Sequence, residues 1–285
     1  MAEIVFLNGK FIPPEEAKLT VSTPGFLYGW GLFETMRAYH NRIVYFDAHL
    51  RRLRESCYLV DIKCPYSLAK LKTIIRQTVK INGFSDAQVR LTLWKAQSGA
   101  DILITVKKYR PYSANKEYKN GFRACFSSFK QNENFYLARL KTTNYLLYRL
   151  AYVEAKDKGF DEAIILNNRG YLTEGSRANI FLFKDRELWT PALGCGCLNG
   201  ITRKVIFDLA KKYHLQASES NLTLSDLYAA DEAFFTNSLL GIMPLAAIEK
   251  HRIGQGVSRY KITPFLMQKY QYLLKNATEK NKITF

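Results

Sequence analysis

A polar, aperiodic stretch over residues 109–120 is the feature that most constrains the fold, because it separates two series of strand-like and helix-like segments. The stretch contains Pro111 and several lysines, and it lacks the apolar spacing that a helix or a strand requires. A chain of 285 residues is long enough for two modest domains, each with its own core. We therefore predict an α/β (α+β) protein with a small N-terminal domain, residues 1–118, and a larger C-terminal domain, residues 119–285.

The first series predicts two hairpins, two helices and two further strands. The turn signal Asn8-Gly9 lies between apolar flanks and supports the first hairpin. Asp47 is the expected N-cap of the first helix, which has Leu50, Leu53 and Cys57 on one face. The expected elements are a hairpin over residues 4–12, a hairpin over 33–46, a helix from 47, a helix over 66–81 that ends at Asn82-Gly83, and strands over 89–94 and 102–106.

The second series alternates between helical and strand-like periodicity. A helix is expected over residues 143–156, with Leu146, Leu150 and Val153 on one face. Thr263 as N-cap and Pro264 at the first helical position predict the start of the last helix. The other expected elements are strands over residues 162–166, 180–183 and 232–236 and a helix over 200–213.

The composition indicates in which cellular compartment the protein acts and which partners it can bind. The apolar runs are too short to span a membrane, and no secretory signal is expected. Five scattered cysteines indicate reduced thiols in the cytoplasm, and Cys195 and Cys197 lack the further ligands that structural zinc requires, so we expect no metal.

The formal charge of +17 makes a nucleic-acid partner a fair alternative. However, the lysines and arginines are spread along the whole chain and no recognisable nucleic-acid motif accompanies them. A basic surface that attracts small anions explains the same charge, so nucleic-acid binding stays a remote alternative.

Three local patterns could carry chemistry, and the first is Lys141, just before a predicted helix. A lysine that forms imines must be neutral part of the time, and its environment has to favour that form. The plain alternative is one more solvated surface lysine.

The second pattern is Glu174, which opens the sequence Glu-Gly-Ser-Arg-Ala-Asn-Ile between two predicted strands. A carboxylate held in a partly buried place can stabilise a protonated ring nitrogen. The alternative is a turn glutamate exposed to water.

The third pattern is the sequence Leu-Asn-Gly-Ile-Thr-Arg, residues 198–203, at a predicted helix start. Free N–H groups at such a position, with Gly200 allowing close approach, suit a phosphate. An arginine often completes a phosphate site, and Arg52 or Arg203 could serve. The alternative is an ordinary helix cap.

Together these patterns resemble the class IV (fold type IV) pyridoxal-phosphate enzymes, which include branched-chain aminotransferases, D-amino-acid aminotransferases and aminodeoxychorismate lyases. The resemblance spans nearly the whole chain in the family's order. The matching stretches are residues 28–37 (YGWGLFETMR), 48–53 (AHLRRL), 141–146 (KTTNYL), 161–166 (DEAIIL), 174–181 (EGSRANIF), 199–203 (NGITR) and 234–244 (FFTNSLLGIMP).

The resemblance implies two α/β domains with pyridoxal 5′-phosphate in the cleft between them. Lys141 matches the lysine that holds the cofactor as a Schiff base and moves the proton between Cα and C4′. Glu174 matches the partner of the pyridine nitrogen, and Tyr145 lies where some members place a tyrosine near O3′. The residues that match phosphate ligands are Arg52, Ile201, Thr202 and Ser238.

The resemblance also implies a homodimer, in which Tyr28 of one subunit closes the pocket of the other. Leu239 is a further expected substrate contact. Arg177 stands where many relatives have a small residue, and we expect it to contact a substrate carboxylate, with a surface or interface salt bridge as the alternative. Residues 94–99 lack the carboxylate-binding pair of the D-amino-acid enzymes.

The predicted function is transfer of an amino group between an α-amino acid, branched-chain-like or D, and a 2-oxo acid. Aminodeoxychorismate lyase, which uses the same lysine to eliminate pyruvate, is the alternative within the family. The sequence decides neither the substrate nor its stereochemistry.

Overall fold

The computed structural model describes residues 3–109 and 117–276. These residues form two compact units. The first unit contains residues 3–109 with Lys141–Asn144 and Asn276, and the second contains residues 117–140 and 145–275. Of the polar stretch predicted at residues 109–120, residues 110–116 lie outside the described part.

An antiparallel sheet of six strands forms the centre of the first unit. The strands are β1 (Val5–Leu7), β2 (Lys10–Ile12), β3 (Gly31–Tyr39), β4 (Arg42–Ile43), β5 (Ala87–Lys95) and β6 (Ala100–Lys108), and the helices are α1 (Pro24–Tyr28), α2 (Phe46–Leu59) and α3 (Leu68–Asn82). The strand order is β2-β1-β6-β5-β3-β4. Alternate residues of β5, among them Val89 and Leu91, are fully buried in a core that α2 and α3 complete.

Local signals predict this unit well, with two exceptions. The hairpin at Asn8-Gly9 is confirmed, and α3 ends at Gly83 with a left-handed φ of 68°. The prediction of Asp47 as an N-cap is wrong, because α2 begins at Phe46 with Tyr45 as its N-cap. The predicted strand over residues 43–46 is also cut short, since Phe46 packs into the core as the first residue of the helix.

A mixed sheet of nine strands forms the centre of the second unit. The strands are β7 (Phe122–Phe126), β8 (Glu162–Leu166), β9 (Leu172–Gly175), β10 (Asn179–Lys184), β11 (Glu187–Pro191), β12 (Gln216–Ser220), β13 (Glu232–Asn237), β14 (Gly241–Ile248) and β15 (His251–Arg252), and the helices are α4 (Glu117–Asn120), α5 (Leu146–Asp157), α6 (Ile201–Lys212), α7 (Leu224–Tyr228) and α8 (Ile262–Lys275). The strand order is β12-β11-β10-β13-β14-β7-β8-β9, with β15 paired to β14. The pairs β11/β12, β14/β7 and β7/β8 are parallel, and the other pairs are antiparallel.

The helix predicted over residues 143–156 differs from the observed one in its start and in its buried face. It begins at Leu146, and its small residues Ala151 and Ala155 are buried against the sheet. The predicted apolar face, Leu146 with Leu150 and Val153, is instead exposed to solvent. Alanine allows the close approach of helix to sheet, which leaves the larger side chains on the outer face.

The start of α8 also differs from the prediction. Thr263 is not the N-cap, because the helix already begins at Ile262. The buried carboxylate of Glu232 accepts hydrogen bonds from the backbone N–H groups of Lys261, Ile262 and Thr263. A side chain distant in sequence therefore caps this helix, which local patterns cannot reveal.

Across residues 3–109 and 117–276, no helix combines the length and the apolar character needed to cross a bilayer.

Candidate active site

The backbone around Lys141 is fixed by hydrogen bonds to the start of β3. Phe33 N–H donates to the carbonyl of Lys141 at 2.9 Å, and Thr143 N–H donates to the carbonyl of Gly31 at 2.9 Å. These bonds explain why residues 141–144 belong to the first unit and why α5 starts later than the sequence predicts. Glycine is required at position 31, because a Cβ there would lie 2.8 Å from Thr143 Oγ1.

The side chain of Lys141 is half-buried and lies beside an aromatic ring. Its Nζ is 4.5 Å from the centroid of Phe33, whose side chain is buried. Arg90, on the neighbouring strand β5, places its guanidinium carbon 3.8 Å from the same centroid. The amino group of Lys141 therefore has an apolar wall on one side, and two cations lie close to that ring.

Arg52 lies on α2 in the same unit and is held by a buried carboxylate. Glu34 Oε1 and Oε2 accept hydrogen bonds from Arg52 Nε and Nη2 at 2.8 and 2.6 Å. His49 Nδ1 lies 2.7 Å from Glu34 Oε2. This bidentate pairing fixes the plane of the guanidinium.

The charges of this cluster follow from burial and pairing. Burial opposes ionisation of Glu34, but Arg52 and His49 outweigh that cost and hold the pKa of the carboxyl at about 2. Burial also lowers the pKa of His49, in spite of its bond to Glu34. A neutral His49 that donates from Nδ1 fits both shifts.

In the second unit, Glu174 lies at the end of β9 and is 5% exposed. Its Oε1 accepts hydrogen bonds from the Tyr148 hydroxyl at 3.0 Å and from Leu198 N–H at 3.1 Å. Its Oε2 accepts one from Asn179 Nδ2 at 3.2 Å. A carboxylate held by three donors on a rigid strand is suited to face a protonated ring nitrogen.

Two of these donors are themselves held in place. Gln131 Nε2 donates to the Tyr148 hydroxyl at 2.8 Å, and Asn179 Nδ2 also donates to the carbonyl of Leu198 at 2.8 Å. Burial, and then the charge of Glu174, raises the pKa of Tyr148, which keeps its hydroxyl protonated as a donor.

Tyr145 precedes α5 and is positioned by two contacts within the second unit. Its hydroxyl donates to the carbonyl of Ser176 at 2.8 Å, and its ring stacks on that of Tyr148 with 5.0 Å between centroids. Ser176 in turn donates from its backbone N–H and its hydroxyl to Glu162, which lies fully buried on β8. The turn after Glu174 is thereby tied to the sheet.

The start of α6 combines an open helix end with an unpaired hydroxyl. Gly200 is the N-cap, and no acidic residue stands in the first turn. Thr202 Oγ1 is buried and has no hydrogen-bond partner among the described residues. Any Cβ on Gly200 would collide with Asn179 Oδ1, so only glycine fits here. Free N–H groups, the helix dipole and an orphan hydroxyl are what a phosphate group requires, so this end of the helix fits the cofactor.

The other predicted residues have distinct surroundings. Arg203, the alternative phosphate ligand, donates from Nη2 to the carbonyl of Pro191 at 3.1 Å and pairs with Glu219 at 2.9 Å, while its buried Nε has no hydrogen-bond partner among the described residues. Ser238 and Leu239 lie in the turn after β13, where Asn237 Oδ1 accepts from the N–H of Leu239 at 2.9 Å.

The predicted residues fall on both units. Lys141 and Arg52 belong to the first, as does Tyr28 at the end of α1, which is 70% exposed. The second unit carries Tyr145, Glu174, Arg177, Ile201, Thr202, Ser238 and Leu239. No group of His, Cys, Asp or Glu residues within residues 3–109 and 117–276 is arranged to hold a metal ion.

The residues that position the predicted site residues through hydrogen bonds were not predicted from the sequence. Glu34 and His49 lie inside the quoted motifs, so a search for polar partners within them could have found both. Asn179 is five residues beyond Glu174 in its motif. Tyr148 and Gln131 gave no signal, because nothing local distinguishes them from other polar residues.

Residues 31–248 match the protein family described as amino-transferase class IV. The chain is 31% identical to the branched-chain-amino-acid aminotransferase of Pseudomonas aeruginosa, over 97% of this chain and 94% of that protein.

Solved structures give the same picture. The branched-chain aminotransferase of Escherichia coli is similar with a TM-score of 0.92 and 26% identity, over 99% of this chain and 98% of that one. The T.th. branched-chain amino acid aminotransferase with pyridoxamine 5′-phosphate has a TM-score of 0.90 and 26% identity, over 97% and 95% of the two chains.

Proposed function

The chain belongs to the class IV aminotransferases and is a pyridoxal-phosphate-dependent enzyme, and on that premise we propose that it acts on branched-chain amino acids and their 2-oxo acids. The predicted fold type, cofactor and amino-transfer reaction are confirmed by the family match and by the similar proteins. None of the reported similarities supports the lyase or a nucleic-acid-binding function.

The observation that carries the substrate proposal is the apolar wall beside Lys141. The buried ring of Phe33 lies 4.5 Å from Lys141 Nζ, the group that must reach the reacting carbon of the substrate. An apolar side chain next to that carbon gains contact with the ring. The similar proteins reported above, which carry the name branched-chain aminotransferase, support the same choice.

In this proposal Lys141 is the catalytic residue. When bound, pyridoxal phosphate withdraws electrons from the substrate Cα and makes its proton acidic. Lys141 Nζ would hold the cofactor covalently, and the same nitrogen would move the proton from Cα to C4′. The backbone bonds of Lys141 to β3 fix the point on the chain from which this side chain extends.

The other predicted residues hold and orient the cofactor in this proposal. Glu174 keeps the proton on the ring nitrogen, supported by the donors from Tyr148 and Asn179. Tyr145 orients the cofactor near its O3′ oxygen. The phosphate ligands are Arg52, Ile201, Thr202 and Ser238, and the unpaired hydroxyl of Thr202 supports this assignment.

We also propose a homodimer, in which Tyr28 contacts the substrate of the partner subunit, while Leu239 contacts the substrate of its own subunit. Exposed apolar residues support this assembly, among them Phe26, Leu27 and Tyr28 in α1 and Leu146 and Leu150 in α5.

We further propose a cytoplasmic location, which accords with five cysteines that are all free thiols.

The first test is to reduce the yellow holoenzyme with borohydride and to map the modified peptide by mass spectrometry. We expect the pyridoxyl group on Lys141 and no labelling in Lys141→Ala. Labelling of another lysine in the wild-type enzyme would overturn the assignment.

The substrate is tested with a panel of amino donors and 2-oxoglutarate as acceptor. We expect kcat/KM for leucine, isoleucine and valine at least about tenfold above that for alanine or a D-amino acid, because each added methylene contributes about 1 kcal/mol or more. A preference for a D-amino acid would contradict the proposal. Pyruvate release from aminodeoxychorismate without an acceptor would identify the lyase instead.

A further inference from the structure

The first unit contains a cavity that the aminotransferase reaction does not use. Its volume is about 670 Å³, and it lies among α2, α3 and the loop between them. Small-molecule sites in proteins typically occupy about 300–1,000 Å³. The apolar side chains that line it include Leu53, Cys57, Ile62 and Leu71, which are buried in the core of the unit, and the more exposed Tyr58 and Leu68.

The rim of this cavity is positively charged. Arg54 and Lys63 line it and are exposed to solvent. Asp61 also lines it, but its carboxylate already accepts a hydrogen bond from Lys95 Nζ at 2.9 Å. The bond to Lys95, together with nearby Lys63, lowers the pKa of Asp61. The positive charge available to attract a ligand is therefore that of Arg54 and Lys63.

The wall of the cavity is held in place by the strands next to it. The indole N–H of Trp30 donates to the carbonyl of Val60 at 2.7 Å, and Lys95 Nζ donates to the carbonyl of Asp61 at 2.8 Å. Tyr66, at the other end of the loop, packs edge-on against Phe6 with 6.0 Å between centroids. These bonds and contacts are made within the protein, and they hold the wall of the cavity in place.

The cavity is distinct from the proposed phosphate ligand on α2. At 3.6 residues per turn, Cys57 and Arg54 lie about 140° and 200° around the helix from Arg52. Arg52 faces Glu34 on one side of α2, and the cavity lies on the opposite side.

We propose that this cavity is a second binding site, and that its ligand is a small organic acid with an apolar chain. The chain would pack on the apolar floor, and the carboxylate would lie between Arg54 and Lys63. A hydrophilic anion would leave the floor in contact with a polar surface, and a neutral apolar ligand would gain nothing from the two cations. The proposal does not depend on which amino acid the enzyme transaminates.

Cys64 provides a local readout, because it lines the cavity and is half-buried. The experiment measures the alkylation rate of each cysteine by iodoacetamide in the holoenzyme, with hexanoate as the probe and mass spectrometry of the peptides. We expect saturating hexanoate to slow the alkylation of Cys64 at least about threefold. Cys125, Cys195 and Cys197 belong to the second unit and serve as internal controls whose rates stay unchanged.

Acetate and hexanamide test the charge and the apolar chain of the ligand separately. Acetate carries the charge without the chain, and hexanamide carries the chain without the charge. We expect neither to protect Cys64 at the concentration at which hexanoate does. Equal protection by acetate would show a simple anion site and would overturn the proposal.

Charge removal at the rim tests the placement of the carboxylate. The double variant Arg54→Gln, Lys63→Gln should raise the hexanoate concentration for half-protection about tenfold, which corresponds to about 1.4 kcal/mol. Lys80→Gln, which removes one positive charge at the far end of α3, should leave it unaltered. Hexanoate that leaves the rate at Cys64 unchanged, or that protects the double variant as well as the wild type, refutes the site. Competition of hexanoate with the amino donor at the active site would persist in the double variant, so the two sites are distinguished.

Discussion

Arg177 Nε lies 3.4 Å from Glu162 Oε2, and its guanidinium carbon lies 3.8 Å from the centroid of Tyr152. Glu162 is fully buried, and burial raises the pKa of its carboxyl although Arg177 and the hydrogen bonds from Ser176 oppose that shift. Arg177 is therefore the cation that makes a buried carboxylate tolerable. This contact favours the salt-bridge alternative over the predicted contact with a substrate carboxylate.

Arg177→Ala should destabilise the fold by about 2 kcal/mol at neutral pH, because it leaves a buried charge without a partner. The pKa of Glu162 is raised in the folded state, so its proton stabilises the fold at low pH, and that stability is lost as pH rises through the folded pKa. Removal of Arg177 raises this pKa further. The deficit should therefore be larger at pH 8 than at pH 5, as measured by urea unfolding.

The companion variant separates the two roles of Arg177. Glu162→Gln should recover part of the stability lost in Arg177→Ala, because no charge is then left behind. KM for leucine should change less than about twofold in Arg177→Ala. A stable variant with KM raised tenfold for every amino donor would instead establish Arg177 as a substrate ligand.

Tyr148→Phe should weaken the support of Glu174 without disturbing the packing of α5. The substitution keeps the ring but removes the hydroxyl that donates to Glu174 and accepts from Gln131. We expect kcat to fall about tenfold, since the ring-nitrogen contact loses about 1.4 kcal/mol of positioning. The pH dependence of the cofactor's visible absorbance should shift as well.

Tyr152→Phe is the matched control for Tyr148→Phe, because it lies one turn further along α5 and retains its ring beneath Arg177. It should alter neither kcat nor the absorbance profile. Identical profiles for wild type and Tyr148→Phe would show that the hydroxyl does not influence the cofactor.

Thr202→Val should weaken binding of the cofactor phosphate. The two side chains have nearly the same shape, but valine lacks the buried hydroxyl that has no partner in the described protein. A lost hydrogen bond to a charged group is worth about 1.5 kcal/mol or more, so Kd for pyridoxal phosphate should rise about tenfold or more.

Pyridoxal, which lacks the phosphate, provides the control ligand and should bind both proteins equally. Thr263→Val provides the control variant, because Thr263 Oγ1 is also buried without a hydrogen-bond partner among the described residues but lies in α8. If pyridoxal and pyridoxal phosphate lost affinity equally, the hydroxyl would not contact the phosphate.

Much of the fold could be predicted because its signals are local. The turn at Asn8-Gly9 and the end of α3 at Gly83 are properties of a few adjacent residues. The burial of α5 was not predictable in the same way. Periodicity groups Leu146 with Leu150 on one face, but only the packing of Ala151 on the sheet decides which face is covered.

The site shows the same division between local and distant information. Lys141 and Glu174 stand in motifs whose order resembles a family, so the chemistry could be predicted from them. The support of Glu174 by Tyr148 could not, because these two residues meet across 26 residues of sequence and Tyr148 stands in none of the motifs. Polar contacts between residues so far apart in sequence leave no periodic pattern, because the tertiary fold decides which residues meet.

Leu150→Glu should dissociate the proposed homodimer if the exposed face of α5 is part of the interface. Leu146, Leu150 and Val153 recur on that face, and Leu146 is 68% exposed. A charge in an apolar interface loses its solvation, so the dimer should weaken at least about tenfold by light scattering after gel filtration. Tyr58→Glu, at an 88% exposed position on α2, is the control and should remain dimeric. A wild-type protein that is monomeric at every concentration would refute the assembly itself.

Glu34→Gln should destabilise the protein in a way that depends on pH. The pKa of Glu34 falls from 4.5 to about 2 on folding, so the ionised form stabilises the fold above about pH 4.5. That stability, on the order of 3 kcal/mol, is lost as pH falls toward 2. The deficit of the variant in urea unfolding should be constant from pH 7 to 5 and should shrink below pH 4.5.

The control Asp86→Asn removes a carboxylate that also pairs with an arginine, Arg37, but is 37% exposed, and it should cost less than about 1 kcal/mol. A deficit of Glu34→Gln that stays the same from pH 7 to 3 would show that its charge contributes nothing to folding.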